Sequence, residues 1–204
     1  MSESLRDLLK RRRMVRDYLP DPIDPEVIDR IVGVVRRAPS AGFSQGHRLV
    51  VVTEPETRRE LARLAGEEEY VEMGLPPWIS IAPVHVVVGV REASYHERYT
   101  KPDKLVEGGV EIAWPAPYWY VDSGSLFMLR QLAALDEGLG TGIYGVAGED
   151  VPELKALLDM PDDVHFVCVI TIGGQPRDAD DSPLVSRLTQ ARLPLDEIVH
   201  RERW

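Results

Sequence analysis

Two runs, Val84–Val90 and Val164–Ile172, are apolar along almost their whole length. Each is as long as a strand and too short for a typical helix, and a strand covered on both faces reads as an apolar run of this kind. Leu49–Thr53 reads as a third buried strand and Gly142–Val146 as a short extended piece. The helical segments between them do not alternate regularly with the strands, so an α+β layer architecture is expected rather than a doubly wound sheet. No repeat and no long linker interrupts the 204 residues, which predicts one domain over 1–204 with a sizeable core.

The helices carry their own punctuation. Ser4–Lys10 places Leu5, Leu8 and Leu9 on one face. Asp24-Pro25-Glu26 opens a second helix, in which Val27, Ile28, Ile31, Val34 and Val35 form a stripe running to Pro39. Glu54-Pro55-Glu56 starts a third, ending near Gly66, and Asp122–Glu137 a fourth, stopped by Gly138. Asp150-Val151-Pro152-Glu153 has capping-box spacing and predicts a helix ending near Met160-Pro161. Between Arg91 and Val121 the periodicity fails: Tyr95, His96, Tyr99, Trp114, Tyr118, Trp119 and Tyr120 are scattered among charges and prolines. That stretch is expected to be an excursion or lid outside the core. The tail 188–204 is semi-apolar and lies past the last core strand, which suggests an arm that packs on a partner subunit.

Charge narrows the function. The formal net charge is −10, which disfavours nucleic acid and anionic membranes as partners. Yet residues 1–16 hold six basic side chains against two acidic ones, a local +4 that suits a compact anion. Arg11, Arg12, Arg13 and Arg16 would converge on one phosphate if the run were helical or tightly turned; otherwise they form a solvated basic face. No apolar stretch approaches a membrane span and the first residues lack a signal core, so a cytoplasmic protein is expected. Cys168 sits in an apolar run and reads as a small buried core residue. The five histidines are dispersed, Asp178, Asp180 and Asp181 read as a solvated cluster, and no nucleophile motif is present, so neither a metal site nor a hydrolase is expected. Gly140-x-Gly142-x-x-Gly145 follows a helix instead of a strand, the reverse of a dinucleotide fingerprint.

Three separated segments together resemble the nitroreductase family of flavoproteins: Arg12-Arg13-Met14-Val15-Arg16-Asp17-Tyr18, Ala38-Pro39-Ser40-Ala41-Gly42-Phe43-Ser44-Gln45, and Gly138-Leu139-Gly140-Thr141-Gly142-Ile143-Tyr144-Gly145. The last is followed by a short helix, the strand ending in Ile172-Gly173-Gly174-Gln175-Pro176, and Arg192-Leu193-Pro194-Leu195. The resemblance implies a central mixed, mainly antiparallel sheet flanked by helices, in an intertwined homodimer with FMN at the subunit interface. By motif position Arg12, Arg13, Met14 and Arg16 would form the phosphate-binding start, with Arg192. Ser40, Ala41, Gly42, Ser44 and Gln45 of the other subunit would line the isoalloxazine and ribityl, and Ile143, Tyr144 and Gly145 would lie along the ring.

The chain departs from the family pattern at Met14, where Ser is usual, at Phe43, where Asn is common, and at Gly46-His47 in place of Pro-Trp. The resemblance implies an FMN-dependent oxidoreductase whose chemistry is carried by FMN, with no catalytic side chain. Hydride would pass from NAD(P)H through the flavin to a nitroaromatic, quinone or similar conjugated acceptor. The alternatives are a flavoenzyme with a deazaflavin donor or a dedicated metabolic substrate, and a flavin-storing dimer without efficient turnover.

Overall fold

Four strands, β1 (His47–Val52), β2 (Val84–Val90), β3 (Gly140–Tyr144) and β4 (His165–Gly173), form one sheet in the order β1-β2-β4-β3. They belong to a computed structural model that describes residues 4–74, 76–176 and 192–204. Every pairing among the described residues is antiparallel, with Val87 opposite Val50 on one side and Val169 on the other. Alternation divides the sheet into two faces. Val84, Val86, Val88, Ile170 and Ile172 pack with Ile28, Ile31 and Ala134. Val52, Val87 and Val169 pack on the opposite face with Leu61, Trp78, Ile79, Tyr144 and Leu154.

The helices are α1 (Leu5–Arg11), α2 (Pro25–Gly33), α3 (Pro55–Leu64), α4 (Glu67–Glu72), α5 (Ala93–Tyr99), α6 (Tyr118–Asp136), α7 (Val151–Leu157) and α8 (Leu195–Ile198). Ser4 caps α1 through the Asp7 amide, and Asp24 caps α2 through the Glu26 amide, with Pro25 in the first turn. The apolar stripe beyond Gly33 continues as a tighter 3-10 turn, Val34–Arg37.

Four local expectations are corrected. The long helix α6 begins at Tyr118, a turn before Asp122, because Trp119 is held inside against Tyr95. The presumed excursion contains α5, whose Tyr95 is fully buried with Val90 and Trp119 in a third apolar cluster. Asp150 makes no side-chain cap: it closes a 3-10 turn, Gly148–Asp150, that runs straight into α7, which ends at Leu157. Cys168 is only partly buried, and desolvation pushes its thiol up to about 11. The acidic residues Asp178, Asp180 and Asp181, and residues 188–191 of the tail, lie outside the described residues.

Candidate functional site

The basic run leaves α1 as an extended segment that crosses β3. Val15 donates its amide to the Thr141 carbonyl at 2.8 Å, and Leu19 donates to the Gly174 carbonyl at 2.9 Å. Tyr18 donates to the Val15 carbonyl at 3.0 Å, so Thr171 Oγ1, 2.8 Å away, supplies the hydrogen of their shared bond. This close crossing requires glycine at position 142. A Cβ there would lie 2.8 Å from Thr171 Oγ1 and 2.9 Å from the Tyr18 hydroxyl, and would also strike the Val15 carbonyl. The Gly140-x-Gly142 pattern therefore records packing.

Extension separates side chains that a helix would have gathered. Arg12 and Arg13 line a narrow cleft with Gln131, Gly140, Thr141 and Gln175. Arg12 Nη1 is 3.5 Å from Gln131 Oε1, and Gln131 Nε2 is 3.4 Å from the Met14 sulfur. Guanidinium and amide donors suit a phosphate, so this donor set fits the anionic end of a flavin mononucleotide. Arg16 is elsewhere. It lines a second cleft of about 350 Å³ with Tyr70, Trp78, Ile79, Ile143, Tyr144 and Gly145. Its guanidinium carbon is 5.8 Å from the centre of the Trp78 ring. The structure thus places Arg16 apart from the cleft of Arg12 and Arg13, beside an aromatic slot.

The slot has a rigid floor. Trp78 and Tyr144 meet edge to face, with centroids 6.2 Å apart. Buried Glu67 accepts the amides of Trp78, Ile79 and Ser80 at 2.8, 2.5 and 3.1 Å, fixing the turn that presents Trp78. Fully buried His85 bonds Ile79 O through Nε2 at 2.8 Å and the Tyr144 hydroxyl through Nδ1 at 3.0 Å. Burial pushes His85 down to about 4, so the ring is neutral near pH 7. Glu67, Trp78, His85 and Gln131 carry no short-range sequence signal, because each meets its partners through the fold.

The loop ahead of β1 is self-braced. Ser40 Oγ accepts the Gln45 amide at 2.9 Å, and Ser44 Oγ donates to the Ala41 carbonyl at 2.6 Å. Asp122 Oδ2 accepts the Ala41 amide at 2.9 Å and the Tyr95 hydroxyl at 2.7 Å. Arg98 Nε donates to the Gly42 carbonyl at 2.9 Å. Gly42, Phe43 and Gln45 all have left-handed φ, which for Phe43 and Gln45 marks stored strain, and Phe43 is 70% exposed. This loop leads into β1 at one sheet edge, whereas Ile143–Gly145 belong to β3 and its end at the other. Three strand spacings, about 14 Å, separate the edges. One chain thus keeps Ser40–Gln45 apart from its own Arg12, Arg16 and Tyr144. Arg192 is exposed and lines neither cleft; beyond it Leu195 and Trp204 are exposed as well.

The Nitroreductase family model matches residues 9–73. A 5,6-dimethylbenzimidazole synthase of Rhodobacter capsulatus is 31% identical over 209 residues, covering 95% of this chain and 94% of that protein. An NADPH-dependent oxidoreductase of Staphylococcus aureus is 23% identical, over 100% of this chain and 75% of its own. Among solved structures, the Nitroreductase Family Protein from Streptococcus pneumoniae TIGR4 aligns with a TM-score of 0.71 at 22% identity, covering 97% of this chain and 100% of that one. The NADPH:FMN oxidoreductase from Vibrio harveyi aligns at 0.70 and 24% identity, over 97% and 76% of the two chains. Whole-length identity to the Rhodobacter protein, the matching family model and the shared sheet lead to one assignment: this chain belongs to the nitroreductase family.

Proposed function

We propose that the protein is an FMN-dependent oxidoreductase that passes hydride from NAD(P)H to a nitroaromatic, quinone or similar conjugated acceptor, working as a homodimer. The observation that carries this reading is the division of labour along residues 12–16: a guanidinium and amide cleft at one end, an aromatic slot with one cation at the other. Arg12, Arg13, Gln131 and Thr141 would hold the phosphate. Arg16, Ile143, Tyr144 and Gly145 would border the ring, and Ser40, Ala41, Gly42, Ser44 and Gln45 would come from the second copy, with Arg192 reaching in from the tail. FMN, when bound, supplies the hydride-accepting and hydride-donating chemistry.

The chain's own work is placement and electrostatics. Arg16 offers a fixed positive charge beside the slot, which favours an electron-rich ring. Trp78 and Tyr144 keep one wall apolar, and the part of 91–121 outside the Tyr95–Trp119 cluster, with Tyr118 and Tyr120 exposed, would act as the lid. Among the described residues no helix is long and apolar enough to cross a membrane. The reading is tested by the visible spectrum of the purified protein and an anaerobic titration. A yellow protein bleached by NADH or NADPH is expected; a colourless protein with no FMN affinity would overturn the reading.

The 31% identity to the Rhodobacter synthase, spanning nearly both chains, favours one second reading, a flavoenzyme dedicated to a single metabolic product. Aerobic incubation of the FMN-loaded protein with NADPH, followed by mass spectrometry for 5,6-dimethylbenzimidazole, separates the two.

A further inference from the structure

The sheet-facing side of α6 holds a charge without a counter-charge. Arg130 is completely enclosed, and among the described residues none of its three guanidinium nitrogens meets an acceptor. His47, at the start of β1 on the same side of the sheet, has a buried Nδ1 that is likewise unpartnered, while its Nε2 lies 3.4 Å from the Pro39 carbonyl. Asp122 is within electrostatic reach of His47, but its Oδ2 is already taken by the Ala41 amide and the Tyr95 hydroxyl. The Cys168 thiol near Arg130 is held neutral at pH 7 by burial and supplies no negative charge.

A guanidinium stays cationic at neutral pH even where burial brings it down to about 10, as here, and an uncompensated buried cation is strongly unfavourable. The compensating group must be small. Arg130 is already enclosed within a single chain, so a second subunit's side chain cannot reach it. Nor does it serve the phosphate cleft: Gln131, the next residue, points there from about 100° further around the helix. A cavity of about 170 Å³ lined by Val35, Arg36, Ala38, Phe43, Gln45 and His47 opens beside His47, with Arg130 lying deeper, outside its lining.

We propose that Arg130 and His47 enclose a binding site for one small monovalent anion of chloride size. Arg130 provides the standing charge. His47, already donating from Nε2 to Pro39, becomes a second donor when its Nδ1 takes a proton, so anion and proton bind together. The charged and polar groups that bear on His47 are Asp122 and Arg130 from α6, Arg48 from β1 and the Pro39 carbonyl. Burial holds His47 below its ordinary value, and an anion beside it offsets that effect.

The test compares thermal unfolding in sodium chloride and in sodium gluconate of equal ionic strength, because gluconate is too large for the enclosure. For the wild type, Tm should rise by roughly 5 °C in chloride at a hundredfold excess over Kd, and by more at pH 6 than at pH 8. Arg130→Met should be insensitive to the exchange. Crystals of the wild type grown in bromide should show an anomalous peak at the guanidinium, a readout that needs no variant. A map with water only at that position, or an Arg130→Met protein that keeps the chloride response, overturns the proposal.

Discussion

Tyr144 gives its phenol hydrogen to Nδ1 of His85 across 3.0 Å, and this direction follows from the opposite side of the ring. Ile79 O can only accept, so His85 Nε2 carries the hydrogen and Nδ1 is the bare nitrogen. The ring between them is locked neutral, and with it the wall of the aromatic slot.

A pH dependence follows. His85 sits at about 4 when folded against an ordinary 6.5, so the unfolded chain binds the proton first on acidification. The stability this contributes is complete above about pH 6.5 and is lost as pH falls toward 4, amounting to about 3 kcal/mol. Urea unfolding across pH 4–7 should show a steeper decline for the wild type than for His85→Gln, whose amide does not titrate. Parallel curves would refute the assignment.

Asp122 ties two distant pieces of chain together. Asp122→Ala leaves the Ala41 amide and the Tyr95 hydroxyl without an acceptor in a buried setting and should cost about 3 kcal/mol. Tyr95→Phe removes one of the two bonds and should cost about half as much. Equilibrium denaturation measures both, and hydrogen exchange at residues 40–45 should rise in the Ala variant above the wild-type rate.

Two glycines of one motif should behave oppositely. Gly142→Ala drives a methyl into the Val15 carbonyl and the Tyr18 and Thr171 hydroxyls, and should destabilise by roughly 1–3 kcal/mol. Gly145 has open space where its Cβ would go, so Gly145→Ala should shift stability by no more than about 0.5 kcal/mol while weakening FMN binding. Thermal melts of the apoproteins with FMN titrations distinguish the two.

The arginines should separate by ligand. Arg12→Ala should weaken FMN binding by about 1.5–3 kcal/mol and leave riboflavin, which lacks the phosphate, nearly unaffected. Arg16→Ala should weaken both ligands alike, because Arg16 faces the ring slot. Fluorescence titrations with both flavins decide the matter, and an Arg16 effect confined to FMN would return Arg16 to the phosphate.

Much of this was legible in the residue order. Val84–Val90 is a strand over the very span its apolar run marks, because burial on both faces leaves a continuous signal. Asp24-Pro25 announces α2 because capping is local chemistry. What escaped is set by contacts between distant residues. Arg12 and Arg16 were spaced for a helix, but β3 holds them extended. Tyr118–Tyr120 lack a helical apolar period and are helical because Trp119 is anchored against Tyr95. Glu67 resembles its solvated neighbours Glu68 and Glu69, and only the turn at Trp78, eleven residues on, accounts for its burial.

The strand order has a genetic corollary. With the Ser40–Gln45 loop leading into one edge strand and Gly145 following the other, the proposed site shared between two copies would draw each of its halves from a different polypeptide. A lesion at Gly42 and a lesion at Arg16 would therefore complement each other. When the two inactive variants are coexpressed, each mixed dimer has one site that carries both lesions and one that carries neither, so activity returns at half the sites of a molecule made entirely from defective chains.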